Sequence, residues 1–538
     1  MTALDNTRTV AVVGAGTMGQ GIAQVALLAG HRVLLHDAAP GRAVAAVDGV
    51  GGRLDRLVAK GRLTPDGHKA ALARLGAARE PAELAGAGLV VEAVVEDLAV
   101  KQRLFADLEE TVAADCLLAT NTSSLSVTAV AGSLRRPGRL VGMHFFNPAP
   151  LMPLVEVVAG AASDPAAVAT AHATAAAWGK TPVRCTDTPG FVVNRVARPF
   201  YAEALRVYEE RAADPATVDA LLTGSGGFAM GPFALMDLIG QDVNEAVTRS
   251  VWEAFFRDPK FTPSLAQRRL VESGRLGRKT GRGWFPYEGG AGGSGGTGGE
   301  PVPEPHTAEP ALPPRFVAVR GDLGPARALA ALAEEAGVEV RRDEARGDAV
   351  RGDEVRGDVA RNGEDAGAGP WRGREPGALV LPSGTPLRLA DAGPHRAPVV
   401  SFDLALDYRT ADRIGIAPSP GVHAAAVEEA TGLFQAMGKE VSVIRDVPGM
   451  VVARTVAMLV DLAVDAVARE VASPEDIDTA MRLGVNYPLG PLAWGEALSA
   501  PYVCALLENL HAWYPTGRYA PCPELRRRAY ARTGGVIS

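Results

Sequence analysis

The N-terminal segment has the sequence of a strand, a glycine-rich turn, a helix and a second strand that ends in an acid. Arg8 to Val13 is a short β-branched run, and it leads directly into GAGTMGQG at residues 14–21. An apolar helical stretch follows from Ile22 to Ala29, and a second strand from Arg32 to His36 ends at Asp37. This order of elements is typical of the unit that opens a doubly wound parallel α/β sheet.

The glycines and the acid of this segment predict a dinucleotide site. Gly14 permits a tight turn, Gly16 lets the backbone approach a pyrophosphate, and Gly19 lets helix and strand pack closely. Asp37 would accept hydrogen bonds from an adenosine ribose and repel a 2′-phosphate. The sequence therefore predicts a Rossmann-type domain that binds NAD rather than NADP.

A second pattern pairs a histidine with an acid twelve residues later. RLVGMHFFNPAPLMPLVEVV at 139–158 places His144 at the end of one apolar segment and Glu156 within the next. Two adjacent strands would set the imidazole against the carboxylate, which fixes the tautomer of the ring and stabilises its charged form. Such a pair suits removal of a proton from an alcohol near neutral pH. The structural alternative is a histidine that only makes a hydrogen bond at a strand end.

Polar residues follow two further predicted strands. Leu89 to Ala93 is followed by Glu96 and a helical segment with Lys101, and Cys116 to Thr120 opens into NTSS. Strand ends of a doubly wound sheet lie where ligands bind, so Ser123 could reach a substrate oxygen. The alternatives are helix capping by the serines and a solvated helix start for the acid and the lysine.

These motifs resemble, in order and spacing, those of the L-3-hydroxyacyl-CoA dehydrogenase family. The resemblance covers roughly residues 8 to 287 and rests on six segments: GAGTMGQGIA, VVEAVVEDLAVK, TNTSSL, HFFNPAPLMPLVEVV, DTPGFVVNR and GRKTGRGW. It implies an enzyme that uses NAD to oxidise the 3-hydroxyl of an acyl-CoA thioester. A base, an oxygen-binding group and a positioned cofactor suffice for that reaction, and no metal is required. The sequence has no HExxH pair and no cluster of histidines and cysteines.

The resemblance also implies individual roles. His144 is the general base, and Glu156 is its partner. Ser123 and Asn194 hold the C3 oxygen of the substrate, and Asn147 helps to shape that pocket. Positions that contact the cofactor in the family are occupied here by Asp37, Glu96, Lys101 and Lys279.

The chain contains an internal repeat with an offset of 259 residues. TPGFVVNRVARPF at 188–200 returns as VPGMVVARTVAML at 447–459, and GPFALMD at 231–237 returns as GPLAWGE at 490–496. The same offset replaces the four candidate site residues His144, Glu156, Asn147 and Asn194 with Asp403, Gly415, Leu406 and Ala453. The second copy also lacks a G-x-G turn, so we expect no cofactor there.

The repeat predicts a Rossmann-type NAD domain followed by an all-α helical domain, with a degenerate second copy of both. The expected boundaries are 1–187 for the NAD domain, 188–288 for the helical domain, 289–314 for a Gly/Pro-rich linker, 315–446 for the degenerate α/β domain and 447–538 for the second helical domain. The linker should be flexible and then partly extended. A repetitive stretch with three RGD triplets predicts a disordered surface loop over 341–376 rather than an adhesion motif.

The C-terminal segments narrow the resemblance to the long, duplicated family members of aerobic phenylacetate degradation. IDTAMRLGVNYPLGPLAWG at 477–495 and RYAPCPELRRRA at 518–529 carry this resemblance. The implied substrate, 3-hydroxyadipyl-CoA, ends in a carboxylate, so Arg195 or Arg198 could contact its acyl tail. Both arginines are also compatible with ion pairs or a helix surface. A 3-hydroxybutyryl-CoA dehydrogenase of fatty-acid or storage metabolism and a non-catalytic NAD-binding structural protein are the alternatives.

Short members of the family resemble dimers joined through the helical domain. We therefore expect the second helical domain to pack on the first as an internal pseudo-dimer, and a further homo-oligomer stays open. The chain carries 55 basic and 62 acidic residues, a net charge of −7, which gives no basic footprint for nucleic acid.

Several features favour a cytoplasmic location. No apolar run is long enough to span a membrane, and the first strand begins too early to leave room for a signal peptide. The four cysteines have neither disulfide nor metal spacing, which fits a reducing compartment.

Overall fold

The computed structural model describes residues 2–287, 301–342, 377–393 and 397–532. The chain forms two compact units. The first unit comprises Met1–Arg198, Ala246–Phe261 and Leu462–Ala493, and the second comprises Pro199–Glu245, Thr262–Asp461 and Trp494–Ser538. Each unit therefore contains one sheet together with residues from the opposite half of the sequence.

The first half of the chain alternates strands and helices and then continues as helices. Its strands are β1 (Thr9–Val13), β2 (Val33–His36), β3 (Leu75–Ala77), β4 (Ala87–Glu92), β5 (Leu117–Thr120), β6 (Leu140–Phe145), β7 (Leu154–Ala159) and β8 (Thr181–Thr186). Its helices are α1 (Thr17–Leu28), α2 (Arg42–Ala59), α3 (Pro65–Leu72), α4 (Leu98–Thr111), α5 (Val127–Ala131), α6 (Pro165–Ala177), α7 (Val193–Val196), α8 (Arg198–Glu209), α9 (Pro215–Gly224), α10 (Pro232–Ile239), α11 (Gln241–Ala254) and α12 (Leu265–Glu272).

The second half also has strands followed by a run of helices over its described residues, but fewer helices lie between its strands. Its strands are β9 (Phe316–Arg320), β10 (Glu339–Arg342), β11 (Ala378–Val380), β12 (Pro386–Leu389), β13 (Val400–Phe402), β14 (Arg413–Pro418) and β15 (Glu440–Val443). Its helices are α13 (Ala328–Glu335), α14 (Ala424–Ala436), α15 (Val452–Ala468), α16 (Pro474–Gly484), α17 (Pro491–Leu498), α18 (Ala500–Trp513) and α19 (Pro523–Arg532). In the described part of the chain, no helix combines the length and apolar character needed to cross a bilayer.

The sheet of the first unit has the strand order β3-β2-β1-β4-β5-β6-β7-β8. Strands β1 to β6 pair in parallel, β7 is antiparallel to β6, and β8 is parallel to β7. The order 3-2-1-4-5-6 is the doubly wound topology, in which ligands bind at the carboxyl ends of the strands beside the β1–β4 reversal. Strands β4, β5 and β6 are buried along their whole length, as central strands of such a sheet must be. The predicted Rossmann-type domain is confirmed.

The sheet of the second unit is a mixed and shorter version, with the order β10-β9-β11-β12-β13-β14-β15. Strand β11 is antiparallel to both of its neighbours, and β14 is antiparallel to β13. After β9 the chain passes through a single 3₁₀ turn into α13.

The repeat is confirmed by several pairs of elements in the later part of each copy. Helices α6 and α14 have bounds that differ by 259 residues at both ends, and the same holds for β7 with β14 and for α11 with α18. The repeated acids perform the same task in both copies. Asp219 accepts hydrogen bonds from two backbone N–H groups at the start of α10, each at 2.9 Å, and Asp478 accepts two from the start of α17 at 2.9 and 3.0 Å.

At the last strand of each sheet, one backbone hydrogen bond joins the chain to a segment from the other copy of the repeat. In the first unit, the N–H of Thr186 at the end of β8 donates to the carbonyl of Val471 at 2.8 Å. In the second unit, the N–H of Arg445 beyond β15 donates to the carbonyl of Ala212 at 3.0 Å. The donors differ by the repeat offset, and so do the acceptors. Each sheet edge is therefore covered by a segment from the opposite copy.

The described part of the linker is the proline-bearing stretch for which the sequence predicts a partly extended chain. Residues 301–314 have no regular secondary structure, yet specific hydrogen bonds hold them on the second unit. The N–H of Ala308 donates to the carbonyl of Val441 at 2.7 Å, and the Ser442 hydroxyl donates to the carbonyl of His306 at 2.7 Å. The prolines favour an extended backbone, and that backbone pairs beside β15. Residues 289–300 lie outside the described residues.

The first two residues of the predicted loop over 341–376 belong to a strand. Arg341 and Arg342 are the last residues of β10, where they pair with Ala318 and Val319. The remainder of that prediction, including the RGD triplets, falls on 343–376, outside the described residues.

The paired helix caps generate a prediction. Asp219→Ala and Asp478→Ala should each lower the free energy of unfolding by roughly 2 kcal/mol, because two N–H groups lose their acceptor. Burial raises the pKa of Asp219 to about 7, above the unfolded value near 3.8. Its contribution to stability is thus fully present below about pH 4 and is lost as the pH rises through 7. Chemical denaturation should show a larger cost of Asp219→Ala at pH 5 than at pH 8. The exposed Asp107→Ala serves as a control, and equal costs at both pH values would contradict the assignment.

Candidate active site

The carboxyl edge of the first sheet collects most of the predicted site residues. Gly14 follows β1, Glu92 ends β4, the NTSS segment follows β5, and His144 lies next to the last residue of β6. Because these strands are parallel, their carboxyl ends meet at one edge. The fold thereby brings together segments that are far apart in sequence.

His144 and Glu156 face each other across an antiparallel strand pair. They are register partners on β6 and β7, and Nδ1 of His144 lies 2.7 Å from Oε2 of Glu156. Both side chains are buried, Glu156 completely. A carboxylate only accepts, so Nδ1 carries the proton, and Nε2 is left as the basic nitrogen. Nε2 has no hydrogen-bond partner within the described part of the chain.

The second oxygen of Glu156 holds the segment that enters the helical region. Oε1 accepts hydrogen bonds from the N–H groups of Val192 and Val193 at 3.0 and 2.9 Å. The rings of Phe146 and Phe191 lie 4.5 and 5.8 Å from the imidazole. One buried carboxylate thus orients the imidazole and fixes the start of α7.

Ser123 lies in a turn organised by Glu96. Oε1 of Glu96 accepts hydrogen bonds from the N–H groups of Ser123 and Ser124 at 2.9 and 3.1 Å and from the Thr122 hydroxyl at 2.6 Å. The Ser123 hydroxyl itself has no partner in the described ranges. The capping alternative for Ser123 and Ser124 is wrong, since Ser126 caps α5 by accepting from Ala129.

Glu96 and Lys101 are not a solvated helix start. Nζ of Lys101 is almost fully buried and contacts Glu92 at 2.6 Å and Glu96 at 3.1 Å. Partial burial raises the pKa of Glu96, but the charge of Lys101 and the hydrogen bonds from Thr122 and Ser123 outweigh it and lower the pKa to about 2. Glu96 is therefore an anion at neutral pH.

The glycine turn has the shape that a dinucleotide needs. Gly14 has φ of +106°, and a Cβ there would lie 2.4 Å from the carbonyl oxygen of Ala93. A Cβ on Gly19 would collide with the carbonyl oxygen of Gly14. Gly16 instead faces open space, and α1 begins there without a side-chain cap. Free N–H groups beside an uncrowded backbone suit a bound pyrophosphate.

Asp37 lies beside the turn, as the predicted ribose acceptor must. It follows β2, and Oδ2 accepts a hydrogen bond from the N–H of Ala15 at 2.8 Å. Oδ1 accepts one from the N–H of Ala39 at 3.0 Å. The carboxylate is therefore held directly against the glycine-rich segment.

The remaining predicted residues lie on helical segments or loops rather than on strands. Asn194 lies on α7, close to the segment that Glu156 holds, and the exposed Asn147 lies in the loop between β6 and β7. Lys279 belongs to the second unit, where Nζ pairs with both oxygens of Asp242 at 2.5 and 2.7 Å. Arg195 is committed to an ion pair, since Nη2 lies 2.8 Å from Oδ2 of Asp465.

Two supporting residues were not identified from the sequence. Oδ1 of Asn121 accepts a hydrogen bond from the N–H of Phe145 at 2.8 Å and joins the ends of β5 and β6. Nζ of Lys180 donates to the carbonyls of Ala149 and Met152 at 2.6 and 2.8 Å and holds the loop that carries Asn147. The repeat does indicate that Lys180 is important, because a lysine also occupies the matching position 439 in the second copy.

The second copy lacks both members of the dyad, since Gly415 stands at the position of Glu156 and an aspartate stands at the position of His144. Asp403, at the position of His144, is fully buried. It accepts hydrogen bonds from the N–H groups of Val451, Val452 and Ala453 at 2.9, 2.8 and 3.0 Å. Burial raises its pKa to about 6. Val451 and Val452 occupy the positions of Val192 and Val193, which donate to Glu156 in the first copy. Asp403 therefore binds the start of the matching helix directly, without a histidine in between.

Three family models match the chain along most of its length. The model described as "3-hydroxyacyl-CoA dehydrogenase, NAD binding domain" matches residues 9–188. The C-terminal domain of the same family matches 190–287 and again 449–536. A "3-hydroxybutyryl-CoA dehydrogenase reduced Rossmann-fold domain" matches 385–448.

Relatives of known identity agree with these matches. The chain is 42% identical over 529 residues to a 3-hydroxyadipyl-CoA dehydrogenase of Escherichia coli, covering 98% of this chain and 99% of that protein. It is 39% identical to a 3-hydroxybutyryl-CoA dehydrogenase of Mycobacterium tuberculosis over 53% of this chain and 99% of that protein. A crystal structure of a 3-hydroxybutyryl-CoA dehydrogenase from E. coli superposes with a TM-score of 0.82 at 39% identity, covering 98% of this chain and 99% of that one.

The chain belongs to the 3-hydroxyacyl-CoA dehydrogenase family. Within that family it is a long, duplicated member and an NAD-dependent oxidoreductase. The open backbone at Gly16 and the carboxylate of Asp37 fit NAD.

The position of Asp37 generates a prediction about the cofactor. The wild-type enzyme should have a higher kcat/KM with NAD than with NADP, because a 2′-phosphate would meet the carboxylate. Asp37→Asn retains an oxygen for the Ala15 N–H but removes the charge. Asp37→Asn should therefore reduce the ratio of kcat/KM with NAD to kcat/KM with NADP, and it should leave the thermal stability unchanged. Equal kcat/KM values for the two cofactors in the wild type would show that Asp37 does not contact the ribose.

Proposed function

We propose that the chain oxidises (3S)-3-hydroxyadipyl-CoA to 3-oxoadipyl-CoA in phenylacetate catabolism. The observation that carries this proposal is similarity to the E. coli 3-hydroxyadipyl-CoA dehydrogenase over both halves of the chain. A 3-hydroxybutyryl-CoA substrate is the second candidate, favoured by the full-length match to the crystal structure of an E. coli 3-hydroxybutyryl-CoA dehydrogenase. The buried and hydrogen-bonded dyad of His144 and Glu156 argues against a non-catalytic NAD-binding protein.

In the proposed reaction, Nε2 of His144 removes the proton of the 3-hydroxyl. Bound NAD supplies the nicotinamide ring that accepts the hydride from C3. The imidazolium that results is stabilised by the carboxylate of Glu156 at Nδ1. In the reverse direction, His144 returns the proton to the 3-oxo oxygen, while the Ser123 hydroxyl and the Asn194 amide donate to that oxygen as charge develops.

The proposed roles of the other residues follow from their contacts. Glu96 sets the Ser123 turn beside the cofactor, and Lys101 fixes Glu96 from the buried side. Asn147 shapes the acyl pocket from a loop that Lys180 anchors. For Lys279, the predicted role at a cofactor-contacting position rests on the family resemblance, since its contact in the structure is the ion pair with Asp242.

A substrate panel tests the proposed function. NADH absorbance should rise with 3-hydroxyacyl-CoA thioesters, and kcat/KM should be higher for the adipyl than for the butyryl thioester. His144→Gln should abolish turnover while NAD binding survives, because base and glycine turn belong to different segments. Glu156→Gln should lower kcat by roughly 10²–10⁴-fold. A His144→Gln variant with more than about a tenth of the wild-type rate would contradict the assignment of the base.

We further propose that the second copy serves as an internal partner in a pseudo-dimer, with one active site per chain. The reciprocal bonds from Thr186 to Val471 and from Arg445 to Ala212 support this symmetry. In an isologous interface, each copy gives the other the contact that it receives.

Truncation tests the internal pseudo-dimer. A chain of residues 1–288 lacks 462–493, which complete the first unit, and should aggregate or dimerise. A full chain cut at a protease site inserted within 289–300 keeps both halves and should stay associated and active. Light scattering, activity and NAD titration provide the readouts. A fully active, monomeric 1–288, or two NAD sites per full chain, would refute the proposal.

A cytoplasmic location is also proposed. All four cysteines are buried, and burial raises the pKa of the Cys116 thiol to about 12. The four cysteines all lie in the described ranges and form no disulfide there, and a reducing compartment that holds acyl-CoA and NAD fits these thiols. Recovery of the protein outside the cytoplasmic fraction of fractionated cells would contradict this location.

A further inference from the structure

Asn194 has a charged neighbour one helical turn further along the chain. Nη2 of Arg198 donates to Oδ1 of Asn194 at 3.4 Å, and Nη1 donates to the Thr248 hydroxyl at 3.2 Å. The side chain of Arg198 is only 5% exposed. The guanidinium is thus held on two sides and lies against the side-chain amide of Asn194.

This contact fixes the orientation of the amide. A guanidinium has five donors and no acceptor, so only the oxygen of Asn194 can face it. A flipped amide would place its NH₂ group against a cation. Nδ2 must therefore point away from Arg198, and it has no hydrogen-bond partner in the part of the chain that the structure describes. Asn194 presents a donor rather than an acceptor on its free side.

The repeat provides an internal comparison for the two arginines of this segment. Arg195 is retained in the second copy as Arg454, and both make ion pairs: Arg195 with Asp465 at 2.8 Å and Arg454 with Glu210 at 3.0 Å. An arginine retained in a copy without the catalytic dyad serves the structure.

Arg198 behaves differently in this comparison. The second copy has alanine at both matching positions, Ala453 for Asn194 and Ala457 for Arg198. The asparagine and the arginine therefore occur only in the copy that also has the imidazole of His144. A shared role of the two residues in the reaction would produce this distribution.

We propose that Arg198 is a positioning residue that turns the NH₂ group of Asn194 toward the C3 oxygen of the substrate. The proposal rests on the proposed function, since it takes Asn194 as a ligand of that oxygen. By holding Oδ1, Arg198 prevents the amide from rotating to present an acceptor, and its charge polarises the amide so that NH₂ is a stronger donor. The donor is then in place as charge develops on the oxygen.

A double-mutant cycle tests the proposal with 3-hydroxyacyl-CoA oxidation and 3-oxoacyl-CoA reduction. Asn194→Ala should lower kcat/KM by roughly 10²-fold, the usual effect of losing one oxyanion donor. Arg198→Leu should lower kcat about 10-fold with a smaller change in KM. In the Asn194→Ala background, Arg198→Leu should have less than about a 2-fold further effect, because its target is gone.

Further variants separate positioning from general structural damage. Arg198→Lys keeps a donor for Oδ1 and should recover part of the lost kcat. Asn194→Asp keeps the contact with Arg198 but has no NH₂ group, so it should be as impaired as Asn194→Ala. NAD affinity and thermal stability are measured for every variant, and Thr248→Val, which releases one side of the guanidinium, replaces Arg198→Leu if that variant does not fold.

The outcomes distinguish this proposal from the function on which it rests. Multiplicative effects in the cycle, or full activity of Arg198→Leu, would overturn the role of Arg198 while wild-type turnover stands. No wild-type turnover with any thioester would instead refute the proposed function, and the role of Arg198 with it.

Discussion

The carboxylate of Glu156 is the interaction on which the catalytic geometry depends. It is completely buried, and an ion in that position is stable only when donors surround it. Its three donors come from separate parts of the fold: Nδ1 of His144 on β6 and the N–H groups of Val192 and Val193 before the helical region. The contacts that keep the charge stable also orient the imidazole and set the start of α7. Asn194, the proposed substrate ligand, follows directly on that helix.

The second copy shows what remains when the chemistry is removed from this arrangement. Asp403 contacts the matching helix start without an intervening imidazole, and the position opposite it is Gly415. By contrast, Asp219 in the first copy and Asp478 in the second accept hydrogen bonds from the starts of matching helices at nearly the same distances. The helix contacts of these acids thus occur in both copies, whereas the dyad of His144 and Glu156 occurs only in the first.

Sequence reasoning succeeded where chemistry is encoded locally or in a repeat. The glycine turn, the spacing of His144 and Glu156 across a strand pair, and the offset of 259 residues each follow from short patterns, and the structure contains all three. It failed where a side chain acts over a long sequence distance. The bond from Asn121 to the Phe145 backbone spans 24 residues, and the ordered contacts of His306 join segments more than a hundred residues apart. No local periodicity reports such contacts.

The tautomer of His144 tests the central claim most directly. Nitrogen-15 NMR of the histidine-labelled enzyme, with His144→Gln used to assign the resonance, distinguishes a protonated from an unprotonated ring nitrogen at a pH where the ring is neutral. The bond to Glu156 predicts a protonated Nδ1 and an unprotonated Nε2 in the wild type, and loss of this single tautomer in Glu156→Gln. A wild-type ring protonated at Nε2 would contradict the account, because His144 could not then accept the hydroxyl proton at that atom.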